Sequence, residues 1–175
     1  LYSTFIGAYS AGETASNAIT GDSNTAVGFQ SAYNMSGAAA NNTIVGAFAG
    51  VAMTDNAANV VIGKGAFLSA NTGEDNNVII GSGAGDAIDS STSDDNIIIG
   101  KDAGQGGGAV MKECIAIGSN AMNSTGSNAQ TGTIAIGHNA LTALTSGARN
   151  TAIGFETLKA MTAGGGDNTA IGHQS

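Results

Sequence analysis

The chain has 175 residues, of which 28 are glycine, none is proline and only 10% are charged, with a formal net charge of -8. This acidic balance opposes binding to nucleic acid or to an anionic membrane surface, so we expect neither partner. A single cysteine excludes an intrachain disulfide, no apolar run approaches the roughly 18–20 residues of a membrane span, and residues 1–10 lack a signal-peptide pattern. Small and β-branched residues dominate the apolar fraction, which indicates a regular all-β array stabilised by repetition or by partner chains.

One tetrapeptide that ends in glycine recurs along the whole chain, from Thr4-Phe5-Ile6-Gly7 to Thr169-Ala170-Ile171-Gly172. Successive glycines are 21, 18, 17, 18, 19, 18, 19, 17 and 18 residues apart. We therefore predict a single repeat-array domain over residues 1–175, folded as a parallel β-solenoid (β-roll) of about ten 18-residue turns. The repeat glycines are Gly7, Gly28, Gly46, Gly63, Gly81, Gly100, Gly118, Gly137, Gly154 and Gly172.

The residues before each glycine predict a short strand. The residue directly before it and the residue three before it are β-branched in every copy, as in Ile97-Ile98-Ile99. The residue between them is apolar in every copy too, although strand alternation turns it to the opposite face. We expect Ile97 and Ile99 to fill one interior and Ile98 to pack against another surface, which neighbouring chains supply. The strand pattern therefore predicts a homo-oligomer.

An asparagine column stands four residues before the glycine in most repeats, with exceptions at Ser3, Cys114 and Thr133. Stacked amides predict a hydrogen-bonded ladder along the solenoid axis, and the alternative is that asparagine serves only as a turn residue. Cys114 in this column predicts a small buried residue rather than a redox centre. The predicted ladder comprises Asn24, Asn42, Asn59, Asn77, Asn96, Asn150 and Asn168.

The segment after each glycine is less informative. Its third residue is always small, from Ser10 to Ser175, which indicates that neighbouring turns approach closely. The residues beyond, such as 155–161, fit either a short outer strand or one helical turn. The first and last copies are interrupted within the repeat, so we expect a segment of a longer fibrous protein, with any signal peptide, anchor or tip domain outside it.

The sequence Asn-Thr-Ala-Ile-Gly at 150–154 and 168–172 resembles the head repeats of trimeric autotransporter adhesins of the YadA-like type. It is also similar to the longer repeats of bacteriophage tail fibres. The resemblance implies a parallel β-roll in which three chains pack around a common axis as a homotrimer. The period near 18 is longer than in the adhesin heads, so the extra residues are expected in the outer segment or the turn.

Catalytic and metal-binding candidates are few. His138 and His173 both follow a repeat glycine, in a column that tolerates many residue types, which predicts surface histidines. Seven acidic residues lie between positions 74 and 102. Stacked turns about 4.8 Å apart would allow Asp75 and Asp94, or Asp95, to share a Ca²⁺ ion, and the alternative is a solvated acidic patch. We predict no catalytic residue and no cofactor. If the acidic residues do hold a Ca²⁺ ion, its candidate ligands are Asp75, Asp94 and Asp95.

These features together predict a non-enzymatic structural or adhesive shaft of an extracellular or virion fibre, in a phage tail fibre or on a bacterial surface. Such a shaft serves host or surface attachment, with a surface glycan or cell-surface receptor as partner. One alternative is a glycan-processing β-helix enzyme of a tailspike, which requires a groove lined by paired carboxylates or basic residues. Another is an ice-binding solenoid, whose threonine face would here be interrupted at Val60, Val78, Ile97, Ile115 and Ile134.

Overall fold

The computed structural model of the chain describes residues 2–12, 18–126, 129–162 and 165–175. Within these ranges the chain forms twelve β-strands and no helix. A two-stranded sheet pairs β7 (Met111–Lys112) with β9 (Gln130–Thr131). The main sheet has ten strands: β1 (Thr4–Ile6), β2 (Thr25–Val27), β3 (Thr43–Val45), β4 (Val60–Ile62), β5 (Val78–Ile80), β6 (Ile97–Ile99), β8 (Ile115–Ile117), β10 (Ile134–Ile136), β11 (Thr151–Ile153) and β12 (Thr169–Ile171).

The ten strands follow one another in sequence order and pair in parallel. Their register is that of the repeat, so that Ile79 lies opposite Ile98 and Ile98 lies opposite Ala116. Each β-branched triplet therefore stacks on the corresponding triplet of the next turn. The predicted all-β parallel solenoid with turns of about 18 residues is confirmed.

The repeat glycine ends each strand because adjacent turns meet backbone to backbone there. Gly28 has φ +141, and a Cβ on it would lie 2.6 Å from the carbonyl oxygen of Gly46 in the next turn. Both the backbone conformation and the missing space exclude an L side chain. The column is invariant in this chain for that reason.

The outer segment is neither of the two forms that the sequence left open. The second and fourth residues after the glycine have positive φ, as in Phe48 (φ 59) and Gly50 (φ 55). The Phe48 N–H donates to the Phe29 carbonyl of the preceding turn at 2.9 Å, and the Gly50 N–H donates to the Ala66 carbonyl of the following turn at 2.9 Å. A ladder of backbone hydrogen bonds thus continues through the turn without a strand or a helix.

The middle residue of each strand lies inside the solenoid. Ile98 is 0% exposed, whereas Ile97 is 39% exposed and Ile99 is half-buried. The expectation that Ile97 and Ile99 fill the interior is therefore wrong. Asn96 and Ile98 are two residues apart and share a face, and the buried asparagine finds its carbonyl partner Met111 inside the solenoid. That face must be the inner one.

Side-chain volume is balanced within several turns of the interior. In the turn of β6, a Cβ on Gly104 would lie only 2.9 Å from Cδ1 of Ile98. In the turn of β10, the two corresponding positions hold Ala135 and Leu141, and both are fully buried. In these two turns the large side chain stands either in the strand or in the outer turn, and close packing is reached in both arrangements. The pattern is not general, because the turn of β2 has Ala26 with Ala32 and the turn of β4 has Val61 with Phe67.

Candidate functional site

The outward face of the ten-stranded sheet is a continuous surface of β-branched side chains. Its side chains are the first and third residues of each strand, which are threonine, valine or isoleucine throughout. Ile62 is 37% exposed and Ile97 is 39% exposed, and most of the others are half-buried by their neighbours along the stack. We call this surface the outward strip. Parallel sheets occur almost only with both faces covered, whereas the described residues cover only the inner face of this sheet.

The outward strip changes in polarity along the stack. Strands β4, β5, β6, β8 and β10 have valine or isoleucine at both outward positions. Strands β1, β2, β3, β11 and β12 begin with threonine instead. The middle of the strip is therefore its most apolar part, and the threonines form no continuous row of the kind that the ice-binding alternative requires.

The downstream edge of the strip is the column of residues that directly follow the repeat glycine. It contains the exposed lysines Lys64 and Lys101 and the exposed histidines His138 and His173. Lys101 forms an ion pair with its neighbour Asp102 at 2.6 Å, and its side chain is still 71% exposed. No carboxylate occupies this column. The downstream edge therefore presents basic groups.

The upstream edge is formed by the two residues before each asparagine-column position. It contains Asp75, Asp94, Asp95 and Glu113, of which Asp95 and Glu113 are exposed. Lys112 lies on the same edge and its Nζ is 3.6 Å from Asp94 Oδ2. Farther along the edge, Arg149 forms an ion pair with Asp167 at 2.6 Å. After these two internal pairings, the upstream edge keeps a surplus of negative charge in its central turns.

Two of the three Ca²⁺ candidates lie on adjacent turns and accept hydrogen bonds from backbone groups. Asp75 Oδ1 accepts from the Ala57 N–H at 2.6 Å, and Asp94 Oδ1 accepts from the Asp75 N–H at 3.1 Å. Asp95 is exposed. In the part of the chain that the structure describes, no group of three or more His, Cys, Asp or Glu side chains is placed to hold a metal ion. Calcium binding by Asp75, Asp94 or Asp95 stays a prediction.

The asparagine column forms hydrogen bonds from turn to turn. Asn42 donates to Asn24 Oδ1 through both its side-chain amide, at 3.0 Å, and its backbone N–H, at 3.1 Å. The same backbone-to-amide bond joins Asn59 to Asn42, Asn77 to Asn59, Asn96 to Asn77 and Asn168 to Asn150. Each of these oxygens satisfies the N–H of the next turn, so the column links the strands from β2 to β6, and β11 to β12, at the points where they begin.

The ladder is interrupted at Cys114 and Thr133. Cys114 is fully buried, its N–H still donates to Asn96 Oδ1 at 3.0 Å, and burial raises the pKa of its thiol. A buried thiol with a raised pKa is poorly reactive. At the interruption, Thr133 Oγ1 and Asn150 Nδ2 are buried and find no hydrogen-bond partner among the described residues.

Glu74 is a buried acid, so the solvated acidic patch is wrong as a description of this residue. Its side chain is 0% exposed, and its Oε2 accepts from Asn56 Nδ2 at 2.7 Å. Its Oε1 is buried and finds no hydrogen-bond partner in the part of the chain that the structure describes, and burial raises the pKa of Glu74. The sequence did contain a sign of this burial, because the positions that correspond to Glu74 in the turns on either side hold the neutral residues Asn56 and Ser93.

The two histidines stack on one aromatic ring. The rings of His138 and Phe155 are 5.4 Å apart, and those of Phe155 and His173 are 5.1 Å apart. All three side chains are exposed. The row follows from the equal spacing of the turns, and the two imidazoles are kept apart by the phenyl ring between them.

A cleft of about 430 Å³ lies at the last turn, lined by residues that include Glu156, Lys159 and Gln174. The Glu156 carboxylate accepts hydrogen bonds from Lys159, Gln174 and Asn139, which lower its pKa to about 2. A carboxylate that stays ionised and bound by three donors is a poor general acid. Among the described residues that line this cleft, Glu156 is the only carboxylate, whereas glycoside hydrolysis requires two.

Comparison with known proteins yields no relative: no family model, no curated protein and no solved structure matches the chain. Within the described residues, no helix is long and apolar enough to cross a membrane. The similarity to adhesin-head and tail-fibre repeats remains a prediction from the sequence.

Proposed function

We propose that the chain is part of the shaft of an extracellular or virion fibre that serves host or surface attachment, and that it works as a homotrimer. The observation that supports this most directly is the outward strip, which runs along all ten strands of the main sheet. Each turn repeats the same face at the same spacing. A second copy of this chain is the partner whose turns match that spacing along the whole length.

The length of the outward strip suits such an assembly. Ten strands at about 4.8 Å per strand give a height of roughly 45 Å, and the three residues of each strand at about 3.3 Å each give a width of roughly 10 Å. The strip itself therefore covers about 450 Å², and the edge columns on either side must join it to reach the roughly 800 Å² that each partner buries in a standard stable interface. Three such faces around one axis would enclose a dry core.

A shaft of this kind needs mechanical rather than chemical properties. Backbone hydrogen bonds link successive turns in the strands, in the outer turns and at the asparagine column. Stiffness then follows from nearest-neighbour contacts that repeat along the axis. Attachment to a surface glycan or to a cell-surface receptor would be a property of the complete fibre, which such a shaft extends away from its anchor.

Sedimentation equilibrium at micromolar concentration tests this proposal. We expect a mass three times the 16.9 kDa of one chain. Replacing Ile99→Lys and Ile117→Lys, on the outward strip, should reduce the mass to that of a monomer, because each buried ammonium loses its hydration without a partner. The matched control is Ser91→Lys with Ser124→Lys, at exposed positions away from the strip, and it should remain trimeric.

A stable folded monomer of the unmodified chain would refute the assembly. A dimer would refute the threefold arrangement alone. Loss of assembly in the control as well as in the strip variant would show that added charge, and not the strip, decides the outcome.

A further inference from the structure

The two edges of the outward strip carry unbalanced charges of opposite sign. On the upstream edge, Asp75, Asp95 and Glu113 form no ion pair within the described residues. On the downstream edge, Lys64 forms none either, and Lys101 pairs only with the residue beside it in sequence. These five groups flank the most apolar part of the strip, between β4 and β8.

Their heights along the stack correspond. Lys64 follows β4 by two residues, and Asp75 precedes β5, one turn away. Lys101 follows β6 by two residues, Asp95 precedes the same strand, and Glu113 precedes β8, one turn away. Neighbouring turns are about 4.8 Å apart, which is within the length of a lysine side chain. Within one chain, however, the width of the sheet face separates the two edges.

We propose that Lys64 and Lys101 of one copy lie against Asp75, Asp95 and Glu113 of the next copy, and that this contact directs the copies into a parallel ring. The inference rests on the homo-oligomer proposed above and specifies its geometry. Rotation about an axis parallel to the stack keeps equivalent turns at equal height and brings the downstream edge of one copy to the upstream edge of the next.

The competing arrangement is an antiparallel pair of copies. The apolar strip alone does not favour one arrangement over the other, because both would cover it. A twofold axis along the strand direction would reverse the stack of the second copy and place upstream edge against upstream edge. Carboxylates would then face carboxylates, which costs free energy at a partly desolvated edge. The strip supplies the affinity, and the edges select the orientation.

Charge reversal on each edge, separately and together, tests the contact. Lys64→Glu with Lys101→Glu should raise the dissociation constant of the assembly at least about tenfold at low salt, and less at high salt, because acid then faces acid. Asp95→Lys with Glu113→Lys should do the same by placing basic groups on both edges. The variant with all four substitutions restores opposite charges and should assemble within about threefold of the unmodified chain.

The control for altered net charge is Asp55→Lys with Asp89→Lys, at exposed positions outside both edges, which should leave the dissociation constant unchanged. Circular dichroism checks that each variant folds, and if one single-edge variant does not, the other single-edge variant and the fourfold variant still decide the result. Unaltered assembly in both single-edge variants, or a fourfold variant as weak as they are, would overturn the contact. That result would leave the homotrimer intact, whereas a monomeric unmodified chain would overturn the homotrimer itself.

Discussion

Glu74 makes the stability of the solenoid depend on pH in a direction opposite to that of most paired carboxylates. In the unfolded chain, a glutamate has a pKa of about 4.3. In the folded chain, burial raises the pKa of Glu74, so the folded state binds more protons than the unfolded state between the two values. Stability is therefore fully present below the unfolded pKa and falls as the pH rises towards the folded pKa.

The Glu74→Gln variant isolates this effect, because glutamine has the shape of the neutral acid and its carbonyl oxygen can still accept from Asn56. The wild-type chain should lose free energy of unfolding relative to the variant by at most about 1.4 kcal/mol per pH unit in that window. A buried polar atom without a partner costs about 1–3 kcal/mol, and more when it is charged, so a total relative loss of at least about 1 kcal/mol is expected at pH 8.

The assay is urea unfolding followed by circular dichroism, at fixed protein concentration and at several pH values between 4 and 8. The quantity to plot is the free energy of unfolding of the variant minus that of the wild type, since other carboxylates then cancel. Asp55→Asn, which neutralises an exposed carboxylate, is the control and should give a smaller dependence on pH. A difference that stays flat for Glu74→Gln, or that favours the wild type as the pH rises, would refute the assignment of a buried neutral acid.

Two further predictions concern the interior. Ile98→Ala should lower the free energy of unfolding by about 2–5 kcal/mol, and Gly104→Leu should lower it by about 1–3 kcal/mol. The double variant copies the arrangement of the β10 turn, so its free energy of unfolding should lie within about 1.5 kcal/mol of the wild type. Strictly additive losses in urea unfolding would contradict the volume balance. Thr133→Asn should extend the hydrogen-bonded ladder by offering an acceptor to Asn150 Nδ2, and it should raise the unfolding free energy by about 1 kcal/mol. A destabilised variant would mean that the site is too small for the longer side chain.

The repeat period determined most of the fold in advance. Strand order, parallel pairing and register all follow once β-branched triplets recur at nearly constant spacing, because a turn of fixed length brings each triplet over the last. The glycine column was equally informative, since its φ values and its close backbone contacts leave no room for a side chain. Such features depend on one column at a time, which is the information that a single sequence contains.

The conformation of the outer turns was harder to predict, because it depends on backbone angles that several residue types adopt. Positive φ occurs there at Phe48, Asn120 and Leu141 as well as at glycines, so composition did not identify the turn. The burial of Glu74 was missed for a related reason. An acidic residue is ordinarily exposed, and only its column, which elsewhere holds neutral residues such as Asn56, contradicts that expectation.

The assignment of faces failed because alternation fixes only that neighbouring residues point in opposite directions, not which direction is inward. Ile97 and Ile98 are equally apolar, so hydropathy could not choose between them. The choice follows instead from Asn96, whose amide bonds Asn77 and an interior carbonyl and so must point inward with Ile98. Once this orientation is known, the columns that border the outward strip are known too, with Lys101 on the downstream edge and Glu113 on the upstream edge. The buried polar column therefore decides which face of this sheet points outward.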